Sequence, residues 1–317
     1  MPADSPILSI DIGGTKVAVG IVAGGRLLAG DRLATQPLDS ADVLAGRIAE
    51  LARNIADRAA IAWPKIAAAG VCCPGLVDGV RGIVHSPANL KGWAPTVPLA
   101  DLLARALAVP AFVENDANAA ALGEQRYGAG RGVANMVYLT ISTGIGGGII
   151  INNHLYAGDT GVAGEIGHMT IRYDGRLCNC GRLGCLEAYA SGTALAKAAR
   201  QAASPDLPWV VQSGGLEHIT AADVLRGVHA GEPLALRLWA DLIDALSAGL
   251  GNVINIFNPR RIVLGGGLTH AGPTLFAPLR QQVPQRAVTG QACDIVAAEL
   301  GDQVGVLGAA AVALDRV

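Results

Sequence analysis

The chain has 317 residues, 51% of them hydrophobic and 16% charged, with 42 glycines, 12 aromatic residues and a formal net charge of −2. It is too apolar and too weakly charged to stay disordered. Its glycines lack the collagen period, and no run approaches the roughly 20 apolar residues of a membrane span. The charge offers no attraction for nucleic acid or an anionic membrane, and residues 1–5 carry no signal-peptide features. The expectation is a cytoplasmic globular α/β protein of two domains or lobes.

In chain order, apolar runs at Ile7–Ile12 and Val17–Val22 flank Gly13-Gly14 and predict a strand, a tight turn and a returning strand, with a second turn at Gly24-Gly25. Ser40 is placed to cap a helix on which Val43, Leu44, Ile48, Leu51, Ile55 and Ala59 recur at helical spacing. Strands are expected at 66–72 and Ala111–Glu114, and helices near 98–107 and 116–127. The pattern then restarts with a strand Met136–Ile141, a glycine turn Gly144–Gly148, a strand Ile149–Ile151 and a hairpin turn at Asn152-Asn153. This return reads as an internal duplication with one unit per lobe. An insertion is expected over 158–190, then helices near 192–203, 220–229, 232–257, 273–283 and 305–315. Residues 204–219 are expected as a loop, and short strands at Ile262–Leu264 and 294–297. Strands alternating with helices argue for α/β layers.

Three glycine segments follow strands: Asp11–Lys16, Ser142–Gly148 and Leu264–Leu268. Without a Cβ, phosphate oxygens can approach backbone N–H groups closely. Thr15 and Thr143 add hydroxyls, Lys16 adds a charge, and Asp11 could hold a hydrated Mg²⁺. Ordinary hairpin chemistry explains one such turn equally well; three in this order favour phosphate. None matches a P-loop or a dinucleotide fingerprint.

Cys178, Cys180 and Cys185 lie within eight residues, where disulfides would be strained and a metal is the better reading. His168, ten residues earlier, could be the fourth ligand of a closed structural zinc site. Cys72, Cys73 and Cys293 sit in apolar runs and read as small core residues. Glu114-Asn115-Asp116-Ala117-Asn118 opens a helix, so Asn115 or Asp116 serves either as a cap or as a ligand group. Glu165 and Glu187 flank the metal segment, where carboxylates suit a polyhydroxylated ligand, although Glu187 could equally be a solvated helix start.

Asp11–Lys16, Glu114–Asn118, Ser142–Gly148, Glu165–His168, Cys178–Glu187 and Leu264–Leu268 occur in the order and spacing of the ROK family of sugar kinases and sugar-responsive repressors, and nearly the whole chain resembles that family, in particular its bacterial glucokinases. The resemblance implies the two-lobed actin-like, hexokinase-like ATPase fold, with ribonuclease H-like duplicated lobes around a cleft and a small zinc-binding insertion. The expected lobes are 1–112 plus 305–317, and 113–304 with the zinc segment at 165–187. It further implies Asp116 as catalytic base and Gly75, Asn89, Asn115, Glu165, His168 and Glu187 as hexose contacts. Asp11, Gly13, Gly14, Thr15, Lys16, Thr143, Gly144, Gly265 and Gly266 would face Mg²⁺ and ATP. His168, Cys178, Cys180 and Cys185 would hold a structural Zn²⁺. The implied reaction is phosphorylation of a hexose 6-hydroxyl, glucose first, with N-acetylmannosamine, N-acetylglucosamine, mannose and fructose as rivals. Family habit implies a homodimer or homotetramer.

Two other classes compete. The family's repressors carry a helix-turn-helix ahead of the first glycine motif, for which the ten residues before Asp11 are expected to leave no room, and a sugar-sensing regulator without kinase activity is disfavoured by the presence of Asp116 and Lys16. A zinc-ribbon nucleic-acid module is disfavoured by the charge and the single Cys-x-Cys hook. The resemblance also disfavours polyphosphate as donor, because relatives that use it usually lack the cysteine motif.

Overall fold

The computed structural model describes residues 5–36, 39–85, 87, 90, 92–288 and 293–317. In chain order the elements are β1 (Ile7–Ile12), β2 (Lys16–Ala23), β3 (Arg26–Ala34), α1 (Ala41–Arg58), β4 (Ala68–Cys73), β5 (Leu76–Asp78), β6 (Ile83–His85), β7 (Thr96–Val97), α2 (Leu99–Leu107), β8 (Ala111–Asn115) and α3 (Asp116–Tyr127). There follow β9 (Met136–Ile141), β10 (Ile145–Ile151), β11 (His154–Leu155), α4 (Glu187–Ala190), α5 (Gly192–Ala202), α6 (Pro208–Gln212), α7 (Ala221–His229), α8 (Pro233–Phe257), β12 (Arg261–Gly265), α9 (Pro273–Gln282), β13 (Asp294–Ala297) and α10 (Val304–Arg316). Two five-stranded sheets have the orders β3-β2-β1-β4-β8 and β11-β10-β9-β12-β13. Third, second, first, fourth, fifth: the same order recurs, as a duplicated lobe requires.

The chain forms two compact units. The first comprises Met1–Ala134, Gly148–Gly164 and Glu299–Val317; the second comprises Asn135–Gly147 and Glu165–Ala298. The expected division lay at 112/113, whereas residues 113–134 group with the first unit. The physical reason is the contact between α3 and α10: a Cβ at Gly123 would lie 2.9 Å from the Gly308 Cα, so the two helix backbones nearly touch.

In the first unit, β1 pairs antiparallel with β2 and parallel with β4. It is largely apolar, broken only by Ser9 and Asp11, because both faces are covered. Leu8, Ile10 and Ile12 join Leu44, Ile48 and Ile55 of α1 and Leu103 and Leu107 of α2 in one core. Ile7 packs with Leu307, Ala310 and Ala313 of α10, and the Ser9 hydroxyl donates to the Val306 carbonyl there. Ser40 caps α1 as expected, its Oγ accepting from the Val43 N–H at 3.4 Å.

In the second unit, β12 runs parallel to both β9 and β13. Three expectations change, the last of them where β10 passes from the second unit into the first. Residues 204–219 were expected as loop, but Pro208 starts the short helix α6, whose Trp209 and Val210 are buried. α8 is, by length and composition, long and apolar enough to cross a membrane, contrary to the reading that no run comes near this. It is instead a core helix: Leu238, Leu242, Leu246 and Leu250 are buried, and α8 packs against α4, α5, α7 and α9. Finally, the turn expected over Gly144–Gly148 is shorter. Gly146, Gly147 and Gly148 lie inside β10. Gly148 is needed for packing, since a Cβ there would come within 2.6 Å of the Ala121 Cβ and 2.9 Å of the Ala117 carbonyl on α3.

Candidate active site

In the first unit, β1 and β2 are joined by a turn in which the Gly13 N–H donates to the Lys16 carbonyl at 2.9 Å. Thr35, just past β3, braces it: its Oγ1 donates to the Gly13 carbonyl at 2.8 Å and its N–H to the Thr15 carbonyl at 3.0 Å. Gly14, Thr15 and Lys16 are exposed, and Lys16 has no ion-pair partner among the described residues. Asp11 stands just before this turn. The Cys72 thiol donates to its Oδ1 at 3.2 Å. Burial, with the adjacent Asp11 charge, pushes the Cys72 thiol well above its ordinary pKa, so it stays a donor. Cys72 and Cys73 are buried, as core residues should be, while Cys293 is only half-buried.

At the β8–α3 junction, Asn115 caps the helix. Its Oδ1 accepts from the Ala117 and Asn118 N–H groups at 2.9 and 3.3 Å. Its Nδ2 donates to the Gly75 carbonyl at 3.1 Å, which ties the two expected sugar contacts together. Asp116 is therefore the first helical residue, where the helix dipole favours its charge. Beneath it Glu114 is 1% exposed; its carboxylate accepts from the Asn115 N–H and Asn118 Nδ2 and lies 3.3 Å from Arg316 Nη2. Burial raises the Glu114 pKa, and these partners oppose the rise. Asn89 lies outside the described residues.

In the second unit, the Ser142 N–H donates to the Gly144 carbonyl at 2.9 Å and closes a turn. The next N–H, of Ile145, donates to Glu187 Oε2 at 2.8 Å. This is no solvated helix start: a Cβ at Gly144 would collide with the same carboxylate oxygen. Thr143, Gly192, Ala196, Leu225, Trp239 and His270 are among the residues lining a cavity of about 450 Å³. Sequence reasoning missed its α5, α7 and α8 side. Gly192, Ala196 and Arg200 recur every four residues along α5, a signal that cannot separate a cavity wall from a core face. Of the third glycine segment, Gly267 and Leu268 line this cavity. The missing Cβ at Gly265 makes room for the Tyr138 hydroxyl, and Gly266 has a φ of +87° beside the Ile141 backbone.

His168, Cys178, Cys180 and Cys185 present donor atoms that all lie within 4.8 Å of one another. Cys180 and Cys185 Sγ are 3.6 Å apart, and Cys178 Sγ is 3.7 Å from His168 Nδ1. A tetrahedral zinc with bonds of about 2.3 Å to sulfur sets such edges at roughly 3.6–3.8 Å. The donor set thus fits a metal. Burial and the neighbouring thiols push Cys185 up to about 12 and burial raises Cys178, whereas the Arg182 N–H lowers Cys180; a cation between the sulfurs would favour the thiolate at all three. The other ring nitrogen, His168 Nε2, faces Glu165 Oε2 at 3.9 Å. Glu187 Oε1 lies 3.8 Å from Cys178 Sγ. The four candidate metal donors and the carboxylates of Glu165 and Glu187 are interleaved on one segment.

The model of the ROK family matches residues 7–316. A glucokinase of Thermotoga maritima is 35% identical over 316 residues, covering 98% of both chains. A crystal structure of a ROK family glucokinase from Streptomyces griseus in complex with glucose and AMPPNP is 34% identical, with a TM-score of 0.78 over 96% of this chain and 98% of that one. A xylose repressor of Bacillus subtilis is 34% identical over 249 residues, covering 78% of this chain and 61% of the repressor.

Proposed function

Because the chain belongs to the ROK family, we propose that it is a cytoplasmic ATP-dependent hexokinase that phosphorylates the 6-hydroxyl of a hexose, with glucose as its preferred acceptor. The observation that carries this reading is that one turn, Ser142–Ile145, borders a cavity on one side and a carboxylate on the other. Thr143 lines a cavity large enough for a nucleoside, and two residues on, the Ile145 N–H is bonded to Glu187, a carboxylate suited to sugar hydroxyls.

Asp116 accepts the proton of the 6-hydroxyl as its oxygen bonds to the γ-phosphorus. The bond from that phosphorus to the β-phosphate oxygen breaks, and ADP leaves with the electron pair. Asn115, the Gly75 backbone, Asn89, Glu165, His168 and Glu187 orient the sugar. Gly13, Gly14, Thr15, Lys16, Thr143 and Gly144 hold the phosphates with backbone N–H groups, hydroxyls and one ammonium; Gly265 and Gly266 support the adenosine side. Such positioning and charge neutralisation is most of what phosphoryl transfer asks of a protein. Asp11 would hold the Mg²⁺ that accompanies ATP and supplies further neutralisation. His168, Cys178, Cys180 and Cys185 would hold Zn²⁺ with four protein donors, a closed and structural set.

The test is a coupled assay of ADP release with glucose, N-acetylglucosamine, N-acetylmannosamine, mannose and fructose. Glucose is expected to give the highest kcat/KM. ADP release that no sugar accelerates would overturn the kinase reading, and calorimetric sugar binding in the same preparation would then favour a sugar-sensing regulator, the class of the xylose repressor.

A further inference from the structure

Both ends of the metal-binding segment close on the same short stretch of backbone, the turn Ser142–Ile145. From the cysteine end, Cys185 lies two residues before Glu187, whose Oε2 accepts from the Ile145 N–H at 2.8 Å. Five residues further on, the Gly192 N–H donates to the Ser142 carbonyl at 2.7 Å. From the histidine end, Gly167, next to His168, presses on the carbonyl of the same Ile145; a Cβ there would collide with it. The N–H of Ile145 is thus bonded from one end of the segment, and its C=O lies close against the backbone of the other. Among the described residues those ends meet through the four donors His168, Cys178, Cys180 and Cys185, through backbone bonds such as Leu186 N–H to the Met169 carbonyl at 2.9 Å, and through the Arg172 guanidinium over the Tyr189 ring.

We propose that the metal centre holds the nucleotide's glycine turn in place, with Glu187 as the positioning residue, so that metal loss weakens nucleotide binding even when no sugar is present. The inference rests on the kinase reading only in taking Thr143 and Gly144 as nucleotide contacts. Its structural core is that order in Ser142–Ile145 depends on order in 165–187. A metal whose only task was to hold the sugar carboxylates would leave sugar-free nucleotide affinity unchanged.

The experiment uses the full-length, zinc-loaded protein, the same protein after a chelator, and the chelated protein with zinc restored. Hydrogen exchange is followed over residues 142–147, and Mg-ADP binding is measured by calorimetry without sugar. Metal loss is expected to speed exchange over 142–147 and to weaken ADP binding about tenfold, within the usual range of coupling between sites. Zinc should restore both, and exchange over 11–16 in the first unit should not change. With the metal retained, Glu187→Ala should repeat the loss, and Glu187→Gln, which keeps an oxygen for the Ile145 N–H, should recover most of it. Unchanged exchange over 142–147 after metal loss overturns the proposal, as does a Gln variant no better than Ala. If chelation unfolds the second unit outright, the two Glu187 variants decide. If the intact protein binds no nucleotide, the kinase reading falls, and exchange over 142–147 still decides this one.

Discussion

The turns at Asp11–Lys16 and Ser142–Ile145 begin from one design, a strand that ends in glycines and turns back, and they are held in opposite ways. The first is a hairpin closed by its own backbone and braced by Thr35 from the next strand of the same sheet. The second is braced by Glu187, Gly167 and Gly192, brought in from residues far along the chain. The segment that supplies the first two has little regular structure of its own. Between Leu155 and Glu187 the described residues contain one 3₁₀ turn and two isolated bridges. Where a sheet and its covering helices supply rigidity, as beneath Asp11 and Asp116, no metal is needed. Where loops carry the functional groups, a metal held by the four donors would replace the missing core, as in small domains that cannot bury enough apolar surface.

That contrast can be broken most sharply at Asp116. Asp116→Asn removes the proposed base without disturbing the Asn115 cap. Turnover is expected to fall by about 10³-fold, with a Tm lowered by at most a few degrees through loss of the charge at the start of α3 and an unchanged metal content; a variant that keeps most of its kcat would remove Asp116 from the role. Metal removal is the complementary experiment. Elemental analysis should find one zinc per chain, and chelation should lower the Tm by roughly 5 °C or more, with exchange accelerated over 165–187 and not in β1 or β4. Finding no metal in the native protein would sink the donor-set reading.

A third change attacks the first unit where it supports itself. Gly70 of β4 lies under α10, and a Cβ there would collide with the Ala309 carbonyl. Gly70→Ala should therefore cost about 1–3 kcal/mol in denaturant unfolding while zinc content stays the same. The smallest expected effect is at Glu114. Its raised pKa means the folded state disfavours the ionised form, so its destabilising contribution is absent below the ordinary Glu pKa and grows as pH rises through and past that value. Glu114→Gln removes this dependence: the Tm of the wild type should fall relative to the variant between about pH 4 and about pH 7. A constant difference across that range would show that Arg316 and Asn118 fully compensate the burial.

Much of the framework is legible in the residues alone. The strand-turn-strand pattern at 7–22 and 136–155, the Ser40 cap and the Asn152-Asn153 turn, both of whose residues have positive φ, are local choices made by side chains within a few positions. The cysteine spacing is equally local, and it points to a metal-donor set before any fold is known. Gly146–Gly148 were misread because glycine has two uses with one spelling: it turns a chain, and it lets another element lie close. Only the packing of α3 on β10 shows which use applies at Gly148. The wall of the nucleoside-sized cavity was illegible for a similar reason, since small and apolar residues at helical spacing look the same whether they face a partner or an empty space.

Local chemistry therefore specified which groups exist: a carboxylate at the start of α3, thiols and an imidazole at ligand spacing, and glycines after strands. Tertiary structure decided what each group touches. It placed Glu187 on the Ile145 N–H, Cys72 on Asp11, and α3 with α10 in the first unit. The reason is range. A cap or a turn is settled by interactions over three or four residues, whereas a contact across 42 positions, as from Ile145 to Glu187, exists only once the chain between has folded around its own fixed point.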